Sequence, residues 1–242
     1  MCGIAVNNNN QEKGIGLSFM LEAEHIQKHY GKKMILKDIS LHAHPGECIG
    51  ILGANGCGKS TLLSILAGVN RANHGSIRID GQDTKSNPHI RTRYMGYVPQ
   101  ENPLIPELSA KDNLSLWYCD SALDMKEELD HGTLADLGIP KFLNVPVSRM
   151  SGGMKKRLSI GCAIANNPAI LIMDEPSAAL DLVCKESIRS YMKRHIQNNG
   201  ILLLTTHEEA ELALCTKIYI IKDGQLIEKQ SGLSTSELVA CF

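Results

Sequence analysis

Residues 47–68, ECIGILGANGCGKSTLLSILAG, constrain the fold more than any other part of the 242-residue chain. ECIGILG is a short, nearly all-apolar run ending in Gly, the pattern of a strand buried on both faces. STLLSILAG has apolar residues at helical spacing, with Gly68 placed where a helix stops. Gly53, Gly56 and Gly58 join the two, followed by a lysine and two hydroxyls. Glycine lets backbone N–H groups converge where a side chain would block the approach. The helix N-terminus adds unpaired donors and the positive end of its dipole. Gly53-x-x-x-x-Gly58-Lys59-Ser60 is therefore a phosphate-binding loop in the strand–loop–helix setting that such a loop requires. Gly53, Ala54, Asn55, Gly56, Cys57, Gly58, Lys59, Ser60 and Thr61 are expected to cradle a nucleoside triphosphate. Lys59 brings a full positive charge to the outer phosphates, and Ser60 offers a hydroxyl to Mg2+.

The rest of the chain supplies the layers around that unit. LEAEHIQKHY and LKDISLHAH alternate with period two and predict antiparallel strands. GSIRIDGQDT and KIYIIKDGQLIEK alternate around Asp80-Gly81 and Asp223-Gly224, both hairpin signals. AILIMDE and GILLLTTHE are again short apolar strands ending in polar residues. From Asn102 to about Val147 the texture is helical: Pro103 and Pro106 mark a loop, and Ser109 with Asp112 and Ser121 with Asp124 predict helix starts. Alternating buried strands and helices predict an α/β fold with a parallel core. Residues 1–17, with an asparagine run at 7–10, are expected to be a flexible lead-in, and residues 18–242 a single domain with a helical insert over about 102–165.

Composition narrows the partners. A net charge of −1 and a sequence pI near 6.7 give no basic excess, so no nucleic-acid partner is expected. The eight cysteines include no C-x-x-C pair and no adjacent histidine cluster; they point to a reduced, cytoplasmic compartment with thiols used as small apolar residues. No apolar run approaches the roughly 18 residues of a membrane-spanning helix, so a membrane role would come through another chain.

A phosphate cradle needs a metal ligand and a group to orient or deprotonate water. AILIMDE ends on both: Asp174 is placed to hold Mg2+, directly or through water, and Glu175 to act as general base. Ser151, Gly152 and Gly153, in RMSGGMKKRLSIG, open a second helix and so form a second backbone-donor site for phosphate. One nucleotide cannot easily use two such helix ends on one chain, and a head-to-tail dimer resolves this. Lys155, Lys156 and Arg157 are read as a partly solvated helix face rather than a nucleic-acid patch.

In these motifs, and over about residues 21–228, the sequence resembles the nucleotide-binding subunits of ATP-binding cassette (ABC) transporters. The resemblance implies a P-loop NTPase core with an antiparallel β-subdomain and an inserted α-helical subdomain. It implies ATP and Mg2+ as cofactors, a second ATPase subunit (an identical copy or a sister subunit) and a membrane permease as partners, and a place at the inner face of the cell membrane. Tyr30 matches an aromatic that stacks on adenine. Gln100, in YVPQEN, matches a glutamine that touches Mg2+ and water and senses the permease. Residues 174–181, DEPSAALD, match the strand-end carboxylates and the loop beyond, with Asp181 contributing across the dimer. His207 matches a histidine on the terminal phosphate. The signature departs from the usual pattern at Met154, where the family most often has Gln. Met followed by basic residues is similar to ATPases that power export, and the short segment after the last hairpin, unlike the tails of many sugar-import ATPases, agrees with export. A soluble assembly ATPase of the same superfamily, such as one serving iron–sulfur cluster assembly, is the alternative.

Overall fold

The computed structural model describes residues 20–178, 180–229 and 237; the expected lead-in, 1–17, lies outside them. In chain order the elements are β1 (Leu21–Tyr30), β2 (Lys33–Ala43), β3 (Cys48–Leu52), α1 (Lys59–Leu66), β4 (His74–Ile79), β5 (Gln82–Asp83), α2 (His89–Tyr94) and β6 (Met95–Val98). A helical stretch follows: α3 (Ala110–Tyr118), α4 (Met125–Asp130), α5 (Thr133–Asp136), 3₁₀ turns at Ile139–Phe142 and Val147–Arg149, and α6 (Gly152–Ala163). The chain then returns to the sheet through β7 (Ile170–Asp174), α7 (Leu182–Gln197), β8 (Ile201–Thr205), α8 (Glu209–Leu212), β9 (Lys217–Lys222) and β10 (Gln225–Lys229).

The strands form one sheet in the order β5-β4-β1-β2-β10-β9-β3-β8-β7-β6. Strands β9, β3, β8, β7 and β6 run parallel, whereas β1, β2, β4 and β5 are antiparallel. The full apolarity of the central runs has a direct cause. Every residue of β3, β7 and β8 is buried, and alternate side chains enter different cores. Cys48, Leu52, Leu171, Met173, Leu202 and Leu204 pack toward α3, α6 and α7. Ile49, Ile51, Ile170, Ile172, Ile201 and Leu203 pack with α1 and the antiparallel strands. Each Leu, Ile and Met among them contributes about 1.5–3 kcal/mol of burial, which holds the two layers to one sheet.

Both hairpin turns follow the Asp-Gly pattern, with φ of 52° and 73° at Asp80 and Gly81 and 52° and 76° at Asp223 and Gly224. Two positive φ values in succession make the turn whose twist suits paired strands. Ser109 caps α3 in a full capping box with Asp112. The second expected helix start needs correction. Asp124, not Ser121, caps α4, accepting from the backbone N–H of Lys126 at 2.7 Å. The Ser121 hydroxyl instead donates to the Ala165 carbonyl at 2.5 Å, so it braces the end of α6.

Candidate nucleotide site

Because β3, β8, β7 and β6 are neighbours and parallel, the loops after all four emerge along one carboxyl edge, the position where open α/β sheets bind ligands. The loop after β3 carries residues 53–58. Gly53 has φ of 146°, and a Cβ there would lie 2.6 Å from the Ile221 carbonyl oxygen, so no other residue fits. Within the loop, the Cys57 N–H donates to Ala54 and the Leu62 N–H to Gly58. Among the described residues, the N–H groups of Gly56, Gly58, Lys59 and Ser60 have no such partner. Lys59 is 8% exposed; its ammonium donates to the carbonyls of Gly53 at 2.8 Å and Ala54 at 3.2 Å. An ammonium has three donors, so one remains for a ligand. Free N–H groups around a buried cation fit a polyphosphate.

At the end of β7, Asp174 is 2% exposed and one of its oxygens accepts from the Thr205 hydroxyl at 2.5 Å. Thr205 stands opposite Asp174 in the β7–β8 register. The next residue, Glu175, has φ of 47°, a conformation that costs a non-glycine residue about 1–3 kcal/mol and collects at functional positions. Its N–H donates to both the carbonyl and the hydroxyl oxygen of Thr205, at 3.1 and 3.0 Å. The turn aims its carboxylate along the edge, where Gln100 Nε2 donates to Oε2 at 3.2 Å and His207 Nε2 lies 3.8 Å from Oε1. Gln100 follows β6, Glu175 follows β7 and His207 follows β8, so three of the expected residues meet at one carboxylate.

Tyr30, at the end of β1, is half exposed. Its hydroxyl accepts from Asn70 at 2.7 Å and the Lys28 ammonium lies 4.8 Å from its ring centroid. These contacts orient the ring, and such cation–ring geometry is attractive.

Ser151, Gly152, Gly153 and Asp181 are not drawn into this cluster. Ser151 and Asp181 cap their own helices, accepting from Met154 at 3.2 Å and Cys184 at 2.8 Å. The Cys184 N–H, then its thiol, hold the Asp181 carboxyl below its usual range. Among the described residues no hydrogen bond joins these tips to residues 53–61. Met154, in place of the usual Gln, is partly buried against the core.

Lys156 corrects the expectation of a solvated basic face. Lys155 and Arg157 are half-buried, but Lys156 is 5% exposed and donates to the carbonyls of Pro99 at 3.0 Å and Gln100 at 3.1 Å. Burial lowers its pKa, while the nearby Asp174 and Glu175 charges oppose that shift. Helical periodicity explains the inward aim: Ser159 and Ile160, three and four residues on, are also buried. Thr205 and Lys156 were not legible as site residues, because each is defined by a partner distant in sequence.

A family model described as ABC transporter matches residues 36–178. The chain belongs to the ABC transporter family. It is 34% identical, over 90% of its length and 73% of the relative's, to the Nod factor export ATP-binding protein I of Paraburkholderia xenovorans. It is 36% identical, over 86% of its length and 68% of the relative's, to the linearmycin resistance ATP-binding protein LnrL of Bacillus subtilis. A dimeric structure of an ATP-binding cassette in a post-hydrolysis state, bound to ADP and Pi, superposes with a TM-score of 0.78 at 27% identity, covering 88% of this chain and all of that one. The cassette is thus an ATPase of this family, with a P-loop NTPase core. Among its described residues no helix is long and apolar enough to cross a membrane.

Proposed function

We propose that this cassette powers export through a separate membrane permease. Two copies, or this chain and a sister subunit, sandwich ATP head to tail. The observation that carries this reading is the contrast at the site: Gln100, Glu175 and His207 converge beside a phosphate loop, while among the described residues no hydrogen bond joins the Ser151 helix tip to that loop. A second subunit supplies the missing partner. Relatives named for export and drug resistance favour a transporter over a soluble assembly ATPase.

In this scheme residues 53–61 hold the triphosphate, with Lys59 on the outer phosphates, and Tyr30 stacks on the base. Among the described residues, no group of three or more His, Cys, Asp or Glu could hold a metal alone, which suits Mg2+, an ion usually held by one or two protein oxygens plus substrate phosphates. Ser60, Asp174 and Gln100 are the ligand candidates. When bound, Mg2+ neutralises phosphate charge and orients the reacting oxygens. Glu175 takes a proton from the attacking water, His207 stabilises the terminal phosphate, and Ser151, Gly152, Gly153 and Asp181 close from the partner. Residues 102–165 form the arm that meets the permease, and exposed Ile105, Leu116 and Trp117 on it suit a protein contact. The cassette then sits peripherally at the inner face of the membrane.

Glu175→Gln tests this directly. The variant should retain ATP binding, form an ATP-dependent dimer by light scattering, and lose turnover by about 100-fold or more. Wild-type turnover in that variant would sink the assignment of Glu175.

A further inference from the structure

Buried lysine is expensive, because the ammonium leaves its hydration behind. A leucine would fill the same space on α6 if packing were the only requirement. What Lys156 adds is two charge-assisted hydrogen bonds to adjacent carbonyls, Pro99 at 3.0 Å and Gln100 at 3.1 Å. Those carbonyls lie just past the end of β6, whose last ladder pair is Val98 with Met173. Beyond that pair the sheet no longer holds the chain, and Lys156 takes over.

The position of Lys156 makes this more than local bracing. It lies on the helix whose N-cap is Ser151. The backbone it holds carries the Gln100 side chain, which donates to Glu175 at 3.2 Å. A continuous chain of contacts therefore runs from the Ser151 tip, along a rigid helix, through Lys156 to the Gln100 backbone, and through the Gln100 amide to Glu175. The tip serves the nucleotide of the partner; the carboxylate serves the nucleotide of its own chain.

We infer that Lys156 is a positioning residue that couples the two nucleotide sites of the dimer, transmitting displacement of the Ser151 helix to Gln100 and Glu175 in the same chain. This rests on the head-to-tail sandwich proposed above. Closure of the tip on the partner's ATP shifts α6, and Lys156 carries that shift to the Gln100 loop, so that each site is aligned by occupation of the other.

The test compares wild type with Lys156→Met, which keeps the apolar stem and removes the charge, and Lys156→Arg, which restores a cationic donor. ATP affinity should change less than about twofold in both, because residues 53–61 are untouched. In the Met variant kcat should fall by about tenfold and the Hill coefficient for ATP hydrolysis should drop from near 2 to near 1, as expected when coupling between two sites is lost. The Arg variant should recover both. A purely structural lysine would lower stability without changing the Hill coefficient. If the Met variant loses its cooperative thermal transition, Lys156→Gln replaces it under the same criteria. A neutral variant with the wild-type kcat and Hill coefficient would overturn the coupling role, as would a wild-type Hill coefficient of 1. ATP-dependent dimerisation of Glu175→Gln is measured alongside. Failure of that dimer would count against the sandwich itself, whereas an intact dimer with unaltered Lys156 variants would sink only the coupling.

Discussion

The carboxyl edge of the parallel strands and the helix tips at Ser151 and Asp181 are both polar, but they differ in what satisfies them. At the edge, side chains from four separate parts of the fold bond across to other parts: Thr205 to Asp174, Gln100 to Glu175, Lys156 to the backbone after β6. At the tips, Ser151 and Asp181 bond only within their own helices: Ser151 to the Met154 N–H, Asp181 to the N–H and thiol of Cys184. Folding alone completes the first region. The second is finished as a pair of helix caps, and on the proposed scheme the Ser151 tip then meets a phosphate held by another chain. On that scheme, chemistry that must be exact is assembled within one polypeptide, and the contact that opens and closes is shared between two.

The sharpest way to break this contrast is a charge at the tip. Gly152 has open space around its Cβ position, so Gly152→Asp fits, and an acidic residue at a helix N-terminus is locally favourable. Against a phosphate about 4 Å away it is repelled by about 4 kcal/mol in a partly buried site. Turnover and ATP-dependent dimerisation should fall by about 100-fold or more, while melting temperature and ATP binding by the single chain stay unchanged. Loss of single-chain ATP binding would place the tip in its own site and end the comparison.

A second test concerns α7, which carries Asp181 at one end and His195 at the other. His195 is buried, and its Nε2 donates to the Ile201 carbonyl at 3.1 Å, at the start of β8. Burial lowers its pKa below the ordinary 6.5. As pH falls below 6.5 the unfolded imidazole takes a proton that the folded one refuses, so wild-type stability declines on the acid side by at most about 1.4 kcal/mol per pH unit from this group. His195→Gln should remove that part of the slope in denaturant titrations between pH 5 and 7 (a range of roughly two units around the ordinary value). An unchanged slope would show that the anchor does not titrate.

The smallest expected effect is in the arm. Ser109→Ala removes one half of the capping box on α3, which costs about 1 kcal/mol and lowers the melting temperature by about 2–4 °C in a domain of this size. ATP binding at the edge should not move. A change there would mean that the arm and the edge are tied more closely than by Lys156.

Much of this was legible along the chain. The phosphate loop could be read because its parts are contiguous, and glycine at position 53 is dictated by backbone geometry. The buried strands could be read because residues facing two cores leave no polar positions. The hairpins could be read from Asp-Gly pairs. The short β6, the helices α2 and α7, and the true cap of α4 were not: Ser121 and Asp124 are both good caps, and only the position of the Ala165 carbonyl decides between them. Lys156 looked solvated between two basic neighbours, and only its three-dimensional surroundings showed otherwise.

By itself the amino-acid order determined the local units: which segments extend, which coil, where the backbone must turn, and where a phosphate can be cradled. These follow from side-chain volume, periodicity and backbone freedom over a few residues. Only the tertiary structure decided that residues 100, 175 and 207 share one carboxylate, that Thr205 braces Asp174, and that a lysine joins the signature helix to the loop after β6. Those contacts depend on strand order and on helix position across the sheet, where hydrogen-bond partners lie 30 to 75 residues apart.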